Sequence, residues 1–487
     1  EFQREDDTTR IVRIWDQTIQ GNKEIYSLKY GTEYTEDQIN QAIRLQASGG
    51  NPYSIVPSKD DIGHGTRMAG IIGGRGINPD LKGAASDCQF IIVKLSRATK
   101  VELDVAVIDK TDVPSYSPWS ALLALRYIIA VARELKRPVV VFEPLGSNMG
   151  SHTGNGIVEQ SINNYSTQSG TVVVVPTGNQ GNTDTHTEGI IESSGDIKDI
   201  EIRVGEKQKN LPIEIWVNKP NRVKLSIISP SGEMIDNLDS KNANNERIKF
   251  LYEGTEMIVN FTSPELSTGD SHIFIRAYNL KAGIWKFRLT GQYIVEGKYY
   301  AWIPQRELLD SETKFLNSVG YTTLTLSSTS NRAISVAYYN QEDNSVVTES
   351  GRGYTRDKMI KPDIAAGGFN AIVTNPGGGT AVISGASVAG AVVAGCCALI
   401  LQWAVTDKNY PDIYAEQIKA YIISGAKGRP GDVYPNKEWG YGMFDMKGIF
   451  DRIKDTYNPR KSEDYEEYRV NNLFIRIPKS RYNRTIN

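Results

Sequence analysis

The sequence is poor in the residues that build disulfide scaffolds and thiolate metal sites. Only three of its 487 residues are cysteines, at positions 88, 396 and 397. Cys396 and Cys397 are adjacent in an apolar stretch with the character of a helix, so their side chains point to different sides. We therefore expect neither a disulfide framework nor a cysteine-bound metal, and we interpret all three as small buried hydrophobes.

An excess of either charge is also missing. The 55 lysines and arginines are balanced by 57 aspartates and glutamates, which gives a formal net charge of −2. Chains that bind nucleic acid or an anionic membrane surface carry a basic surplus, so we expect neither partner. The first ten residues, EFQREDDTTR, are polar and contain no secretory apolar segment. Either the protein is not exported through a cleaved signal, or the chain begins after processing.

Long hydrophobic runs are scarce, with one exception. The residues from Val388 to Val405 include no charge and one strongly polar side chain, Gln402. This composition is typical of a helix without a solvent-exposed polar face. The run meets the lower length limit for crossing a bilayer. Its small residues and the lack of flanking basic clusters favour the central helix of a large core instead. We therefore expect no membrane span, and we note that Ser387 stands at the start of this helix.

The sequence does contain a regular alternation of strand and helix patterns up to about residue 190. This alternation predicts a doubly wound, mainly parallel sheet with helices on both faces, and a site at the carboxyl ends of the strands. Asp16, Gly146 and Asn179 all follow such strand ends. The predicted strands are 10–15, 88–95, 139–142 and 171–175, and the predicted helices are 35–46, 118–135 and 157–166.

The pattern changes near Gly189. Between about residues 200 and 303 only short alternating runs occur, separated by Gly, Pro and Asn turns. This is typical of an antiparallel β-sandwich inserted into the α/β unit. Its tryptophans, Trp216, Trp285 and Trp302, favour a packed core. The alternative is that they form a sugar-binding face, which would make the insert a carbohydrate-binding module.

These changes of pattern define the expected domains. After the insert we predict strands at 321–326 and 333–339 and a helix at 414–425. The first part of the α/β unit covers residues 1–190, the insert 191–320, the second part of the unit 321–455, and a C-terminal extension 456–487.

Four polar residues, Asp16, His64, Asn179 and Ser387, stand at predicted strand ends or helix starts. Each has a structural explanation when taken singly: a turn aspartate, a packed histidine or a serine that caps a helix. Together they supply a hydroxyl nucleophile, an imidazole base, a carboxylate that orients the imidazole and an amide donor for an oxyanion. This combination favours acyl transfer.

The motifs around these residues resemble those of the subtilisin-like serine proteases, the subtilases of peptidase family S8. They are IWDQT at Asp16, DDIGHGTRMAG at His64, VVVVPTGNQGN at Asn179 and GTAVISGASVAG at Ser387, in the chain order of that family. The resemblance implies that Ser387 attacks the scissile carbonyl. His64 would act as base and then as acid, Asp16 would orient its ring, and Asn179 would form the oxyanion hole.

The same resemblance implies the subtilisin-like α/β fold with an inserted, jelly-roll-like β-sandwich, and a protein or peptide as substrate. Leu145 and Gly146 would pair with the substrate backbone as an added strand, which provides affinity without reading sequence. Ser147 and Gly178 would line the same substrate-binding edge.

We expect no cofactor and no metal. The loop from Gly73 to Lys82 is too short to resemble the strong calcium loop of the family. It contains one carboxylate, Asp80, and a single carboxylate makes a weak cage for a hard cation.

Further features resemble the clostridial branch that includes the germination-specific Csp-type subtilases: WDQT, the loop LGSNMGSHTG, the β-sandwich insert, GCCALILQWA and the ending LFIRIPKS. This resemblance implies a serine endopeptidase that activates a zymogen, such as a spore cortex hydrolase, during germination. It also implies a prodomain that is cleaved from the chain or supplied separately, and an extracytoplasmic location, either spore-associated or secreted.

Some positions depart from the family pattern. Ala386 stands where the family usually has Thr, and Ala391 and Gly367 stand where it usually has Pro. None of these changes removes a triad residue, although small displacements of the oxyanion loop can cost about a hundred-fold in rate. They leave a second interpretation open, a subtilase-fold pseudoprotease that acts by binding a partner.

Overall fold

Strands and helices alternate through the first 176 residues of the computed structural model, as the hydrophobic periodicity predicts. The structure describes residues 1–21, 24–241, 244–457, 465–470 and 473–478. The elements of the first part are β1 (Ile11–Asp16), β2 (Thr32–Thr35), α1 (Glu36–Ala47), α2 (His64–Gly73), β3 (Phe90–Lys94), α3 (Lys100–Val105), α4 (Pro118–Leu135), β4 (Val139–Phe142), α5 (Ile157–Tyr165) and β5 (Thr171–Pro176).

The insert forms two antiparallel sheets, with strand orders β10-β9-β14-β7-β16 and β11-β12-β13-β8-β15-β6. Both sheets contribute to one core, to which Phe287 of the first and Ile275 of the second belong. The predicted β-sandwich is therefore confirmed. Its strands are β6 (His186–Ile190), β7 (Ile197–Val204), β8 (Leu211–Val217), β9 (Arg222–Ile228), β10 (Met234–Leu238), β11 (Asn244–Lys249), β12 (Glu256–Thr262), β13 (Ser271–Tyr278), β14 (Gly283–Tyr293), β15 (Lys298–Trp302) and β16 (Lys314–Phe315).

The three tryptophans singled out in the insert are buried. Trp216, Trp285 and Trp302 are 4%, 0% and 1% exposed, and the indole N–H of Trp285 donates to the carbonyl of Lys281 over 2.8 Å. Buried rings cannot stack on a sugar from solution, so these tryptophans serve as core residues.

The chain returns to the α/β unit after the insert. The predicted strand at 321–326 is wrong, because the N–H groups of Thr322 and Thr323 donate to the loop carbonyls of Gly353 and Arg352. The elements of this part are β17 (Ile334–Asn340), β18 (Ser345–Val346), β19 (Ile364–Gly367), β20 (Ala371–Thr374), β21 (Thr380–Ile383), α6 (Ala386–Leu401), α7 (Ala415–Gly425), α8 (Met446–Tyr457), β22 (Tyr465–Val470) and β23 (Leu473–Pro478).

The parallel strands lie in two sheets. β1 pairs in parallel with β3 and antiparallel with β2. In the other sheet β4, β5, β17 and β19 pair in parallel, in that order. The carboxyl ends of adjacent parallel strands lie at the same edge, so the segments after β4 and β5 emerge side by side. The predicted mainly parallel, doubly wound fold is confirmed.

The apolar helix α6 is buried among the other elements. Ala389, Val393 and Cys397 on it are fully buried, in one core with residues of β5 and β17. In the described part of the chain, 386–406 is the one helical stretch long and apolar enough to span a membrane, and 67% of its most apolar window is buried inside the protein. This burial agrees with the predicted core helix.

Residues of the inserted sandwich form hydrogen bonds with the loop 148–153 of the α/β unit, which follows β4. The backbone N–H of Gly150 donates to a carboxylate oxygen of Glu214 over 2.7 Å. The side-chain amide of Asn148 donates to the carbonyl of Ile303 over 3.3 Å. Glu214 belongs to β8 and Ile303 follows β15, so two strands of the insert fix a loop of the α/β unit.

A buried guanidinium reinforces this junction. Arg356 donates to the carbonyl of Ser151 and to the carboxylate of Asp270, each over 2.8 Å. Its guanidinium carbon lies 4.6 Å from the ring centre of Trp216, within the range of a cation–π contact. Arg356 comes from the α/β unit, whereas Asp270 and Trp216 come from the insert. The contacts of this guanidinium therefore join the two units.

Two histidines stack on one tryptophan at the same junction. The rings of His152 and His186 lie 4.1 Å and 4.4 Å from that of Trp302 and are nearly parallel to it, so they must cover opposite faces. Burial lowers the pKa of His152 to about 4, although its hydrogen bond to the carbonyl of Asn148 acts in the opposite direction. The imidazole of His152 is therefore uncharged at neutral pH.

Candidate active site

Asp16 ends β1 as a fully buried carboxylate. One of its oxygens accepts from the N–H and the hydroxyl of Thr18, over 2.8 Å and 2.6 Å. The other accepts from the hydroxyl of Ser58 over 2.6 Å. A buried carboxylate is costly unless it is hydrogen-bonded, and these three bonds hold the side chain in one orientation.

His64 is the first residue of α2 and lies partly buried in the wall of a cleft. Burial lowers the pKa of its imidazole below the ordinary value, and the guanidinium of Arg67 contributes to this shift. The carboxylate of Asp60 opposes it. The imidazole is therefore neutral at pH 7, which is the form that can accept a proton.

Asp60 also fixes the start of α2. One carboxylate oxygen accepts from the N–H groups of Ile62 and Gly63, over 3.2 Å and 2.7 Å. The other accepts from the N–H and the hydroxyl of Thr66, over 2.9 Å and 2.7 Å. The N–H of Thr66 lies in the first turn and has no partner within the helix, so Asp60 satisfies a free donor at the start of the helix that presents His64.

Helices α2 and α6 pack side by side in the same direction. Met68, one turn after His64, packs against Val388 and Ala391. A Cβ at Gly395, further along α6, would lie 2.8 Å from the carbonyl oxygen of Ile72. Since the contacts advance together along both helices, their first turns lie at the same end.

Asn179 lies beside the start of α6. Its Oδ1 accepts the backbone N–H of Ala386 over 3.0 Å. The side chain is exposed, and its Nδ2 donates to no protein group among the residues that the structure describes. Because Oδ1 must accept this bond, Nδ2 is the atom left to donate to another group, and the bonded residue Ala386 directly precedes the partly exposed Ser387.

Some of the expected hydrogen bonds are not formed. Across the described ranges, His64 is bonded neither to Asp16 nor to Ser387, and the second oxygen of Asp16 is bonded to Ser58 instead. Catalytic hydrogen bonds are often long before substrate binds. The roles of Asp16, His64, Asn179 and Ser387 stay predictions.

A cleft of about 1990 Å³ runs between β3 and β4. His64, Asp60 and Leu145 line it, together with the edges of both strands. Of the four predicted catalytic and oxyanion-hole residues only His64 borders this cleft, because Asp16, Asn179 and Ser387 are not among its lining residues.

The segment after β4 makes contacts that sequence reasoning missed. The carbonyl of Gly146 accepts the side-chain amide of Gln305 over 2.6 Å, and the carbonyl of Ser147 accepts the N–H of Leu326 over 3.0 Å. The carbonyl of Gly178, on the segment after β5, accepts the N–H of Gly351 over 2.9 Å. The substrate-binding roles of Leu145, Gly146, Ser147 and Gly178 stay predictions, and no local pattern marks Gln305.

The loop from Gly73 to Lys82 binds the carboxylate of Glu1. The side chain of Glu1 accepts from the N–H groups of Gly76, Ile77 and Asn78, over 2.7 Å, 3.3 Å and 3.0 Å. Successive N–H groups of this kind form a concavity for an anion. No group of three or more His, Cys, Asp or Glu side chains suited to a metal occurs in the described part of the chain.

Comparisons with known proteins identify the family to which this fold belongs. The model of the subtilase family matches residues 8–201 and 315–442, which leaves out most of the sandwich. The solved CspB protease of Clostridium perfringens is 28% identical, with a TM-score of 0.81 over 94% of this chain and 90% of that chain. A search of curated proteins gave no match.

More distant solved structures include the prenylagaramide maturation protease PagA, 13% identical with a TM-score of 0.41 over 80% of this chain and 82% of that chain. A cold-adapted subtilisin-like serine proteinase is also 13% identical, with a TM-score of 0.38 over 80% and 77%. The family match covers about two thirds of the chain, and the CspB structure matches across the insert as well. The chain therefore belongs to the subtilase family and is a subtilisin-like serine endopeptidase.

Proposed function

We propose that this endopeptidase cleaves peptide bonds through a triad of Asp16, His64 and Ser387, with Asn179 in the oxyanion hole. The observation that carries this proposal is the hydrogen bond from the Ala386 N–H to Oδ1 of Asn179. It fixes an amide with a free Nδ2 donor next to the hydroxyl at the start of α6.

In the acylation step, His64 takes the proton of the Ser387 hydroxyl as the oxygen attacks the scissile carbonyl carbon. The negative oxygen of the tetrahedral intermediate accepts from Nδ2 of Asn179 and from the N–H of Ser387. His64 then gives the proton to the leaving amine, and water repeats the sequence on the acyl-enzyme. In subtilisin, loss of an asparagine donor of this kind costs a factor of about 10² to 10³ in kcat.

Asp16 supports this sequence by orienting the imidazole. For this role its carboxylate must bond to His64, and the oxygen now bonded to Ser58 has a second lone pair available. We expect substrate to draw His64 and Asp16 together, because filling the cleft expels water and strengthens each charge-assisted bond.

The triad is tested by labelling with a fluorophosphonate. We expect labelling of the wild type and none of Ser387→Ala. The matched control is Ser384→Ala, which changes an exposed serine three residues earlier that accepts the Asn370 N–H. Absence of labelling in a folded wild-type sample would contradict the proposal and favour a pseudoprotease that acts by binding.

We also propose a zymogen as the substrate, such as that of a spore cortex hydrolase, in an extracytoplasmic, spore-associated or secreted setting. A cleaved prodomain would be a further partner. The support is the similarity to CspB protease over 94% of the chain, together with the clostridial motifs. Incubation of the purified zymogen with wild type and with Ser387→Ala tests this substrate. An intact zymogen beside a fluorophosphonate-labelled enzyme would refute the substrate and leave the triad standing.

A further inference from the structure

The segments after β4 and β5 run side by side, and the second of them contacts the start of α6. The two strands pair in parallel, with Phe142 opposite Val174, so both segments emerge at one edge. Asn179 on the second segment contacts the start of α6. In the proposed substrate mode, in which Leu145 and Gly146 pair with the peptide backbone, the side chain before the scissile bond enters the space between these two segments.

One side chain already fills this space. A Cβ at Gly146 would lie 2.6 Å from Oγ1 and 2.7 Å from Cγ2 of Thr325, and a Cβ at Gly178 would also collide with Cγ2 of Thr325. Both glycines thus lie against one threonine. Gly178 has a φ of +83°, a conformation that other residues rarely adopt.

Backbone bonds hold Thr325 in this position. Its N–H donates to the carbonyl of Thr177 over 3.1 Å, and the next N–H, that of Leu326, donates to the carbonyl of Ser147 over 3.0 Å. Its own carbonyl accepts the hydroxyl of Ser328 over 2.6 Å. Because its backbone is tied to both segments, Thr325 cannot withdraw without separating them.

The hydroxyl group of Thr325 forms no interaction that would explain a threonine at this position. Thr325 is 4% exposed, and its Oγ1 is buried without a hydrogen-bond partner among the described residues. A buried hydroxyl that bonds to nothing carries a desolvation cost. What Thr325 contributes here is the volume of its side chain.

We propose that Thr325 sets the specificity of this protease, limiting the residue before the scissile bond to Gly, Ala or Ser and excluding large side chains. This inference rests on the proposed function. Closed pockets discriminate by size, because an oversized side chain can enter only by displacing its neighbours. Here Thr325 is hydrogen-bonded to one wall and the next residue, Leu326, to the other.

Peptides that differ only in the residue before the scissile bond test the proposal. We expect kcat/KM of the wild type to be higher for Ala than for Phe, by a factor of about 100. Thr325→Gly should lower this ratio at least about tenfold, through a gain on the Phe peptide. Thr325→Val is the matched control, because it keeps the volume and should keep the wild-type ratio.

Fluorophosphonate labelling of every variant separates the possible failures. If the wild type is not labelled, the proposed function fails. The proposed specificity then fails with it, because there is no active enzyme. A labelled wild type that prefers Phe to Ala overturns the proposal. So does a labelled Thr325→Gly variant with an unchanged ratio. If Thr325→Gly does not fold, Thr325→Ala replaces it, with a smaller change in the same direction.

Discussion

Asp60 is the charged residue that acts on His64 most directly. Its carboxylate raises the pKa of His64 against the lowering caused by burial. In Asp60→Asn this opposing charge is lost, so the pKa of His64 should fall further. We expect the acid limb of the kcat/KM profile to move to lower pH, because that limb reports protonation of the free enzyme's base.

Asp61→Asn is the matched control for this experiment. Asp61 is the next residue along the chain and forms an exposed ion pair with Lys94 over 2.7 Å. Its replacement should leave the acid limb in place. An acid limb that stays fixed in Asp60→Asn would show that another group limits the rate at low pH.

At the scale of single residues, the sequence predicts those that sit in short motifs. Asn179 lies beside the start of α6, as its position predicts. Thr325 and Gln305 could not be found in this way, because their partners are distant in the chain. Gly146 is 159 residues from Gln305, and only the finished fold brings the two together.

At the scale of elements, the contact between α2 and α6 joins the helix that begins with His64 to the helix that carries Ser387. Met68 is 2% exposed and packs on Val388 and Ala391. We expect Met68→Ala to lower the free energy of unfolding by about 2 to 5 kcal/mol, because it leaves a cavity between the helices. The kcat should fall as well, since α2 presents His64. Denaturant unfolding and peptide hydrolysis measure the two effects.

Met234→Ala provides the comparison. Met234 is 51% exposed on β10 of the sandwich, and exposed substitutions usually stay within about 0.5 kcal/mol. Equal losses in the two variants would mean that methionine truncation, rather than the helix contact, determines the result.

Elements with a strong hydrophobic period can be predicted from the sequence. Segments whose conformation depends on hydrogen bonds to distant residues cannot. The predicted bounds of α4 and β4 agree with the structure, since an amphipathic helix with a proline start and a Val-rich run leave little ambiguity. The segment 321–326, YTTLTL, is equally rich in β-formers. Its N–H groups are nevertheless bonded to loop carbonyls, including that of Gly353, so propensity alone gives the wrong element.

At the scale of the whole molecule, His152 makes the junction between insert and α/β unit sensitive to acid. Its pKa is about 4 in the folded protein, against 6.5 for an ordinary histidine. As the pH falls below 6.5 the unfolded chain binds the proton first, so stability is full above pH 6.5 and declines toward pH 4. Between pH 7 and pH 5 the loss should be about 2 kcal/mol, measured by urea unfolding.

His152→Phe removes the titrating group and retains a ring against Trp302. We expect its stability to change less than that of the wild type over this interval. Tyr300→Phe alters the same stack without a group that titrates there, since burial raises the pKa of Tyr300 to about 12. It should retain the wild-type pH dependence, and a variant at position 152 that also retains it would contradict this account.

The two-part architecture is evident in the sequence, because the period changes from alternating strand and helix to short strands alone. The contacts at the junction between the insert and the α/β unit cannot be predicted from the sequence. His152 and His186 stack on Trp302, and Arg356 lies over Trp216 of the same aromatic cluster, yet nothing in their local sequence indicates that they meet there.

The placement of the insert also determines the order in which the enzyme is completed. Strands β5 and β17 are neighbours in the sheet, with Val174 opposite Ile334, yet the whole sandwich lies between them along the chain. A ribosome therefore releases the sandwich before it releases β17, and Ser387 comes later still. Under the proposed mechanism, the chain therefore lacks its nucleophile until most of it has emerged from the ribosome.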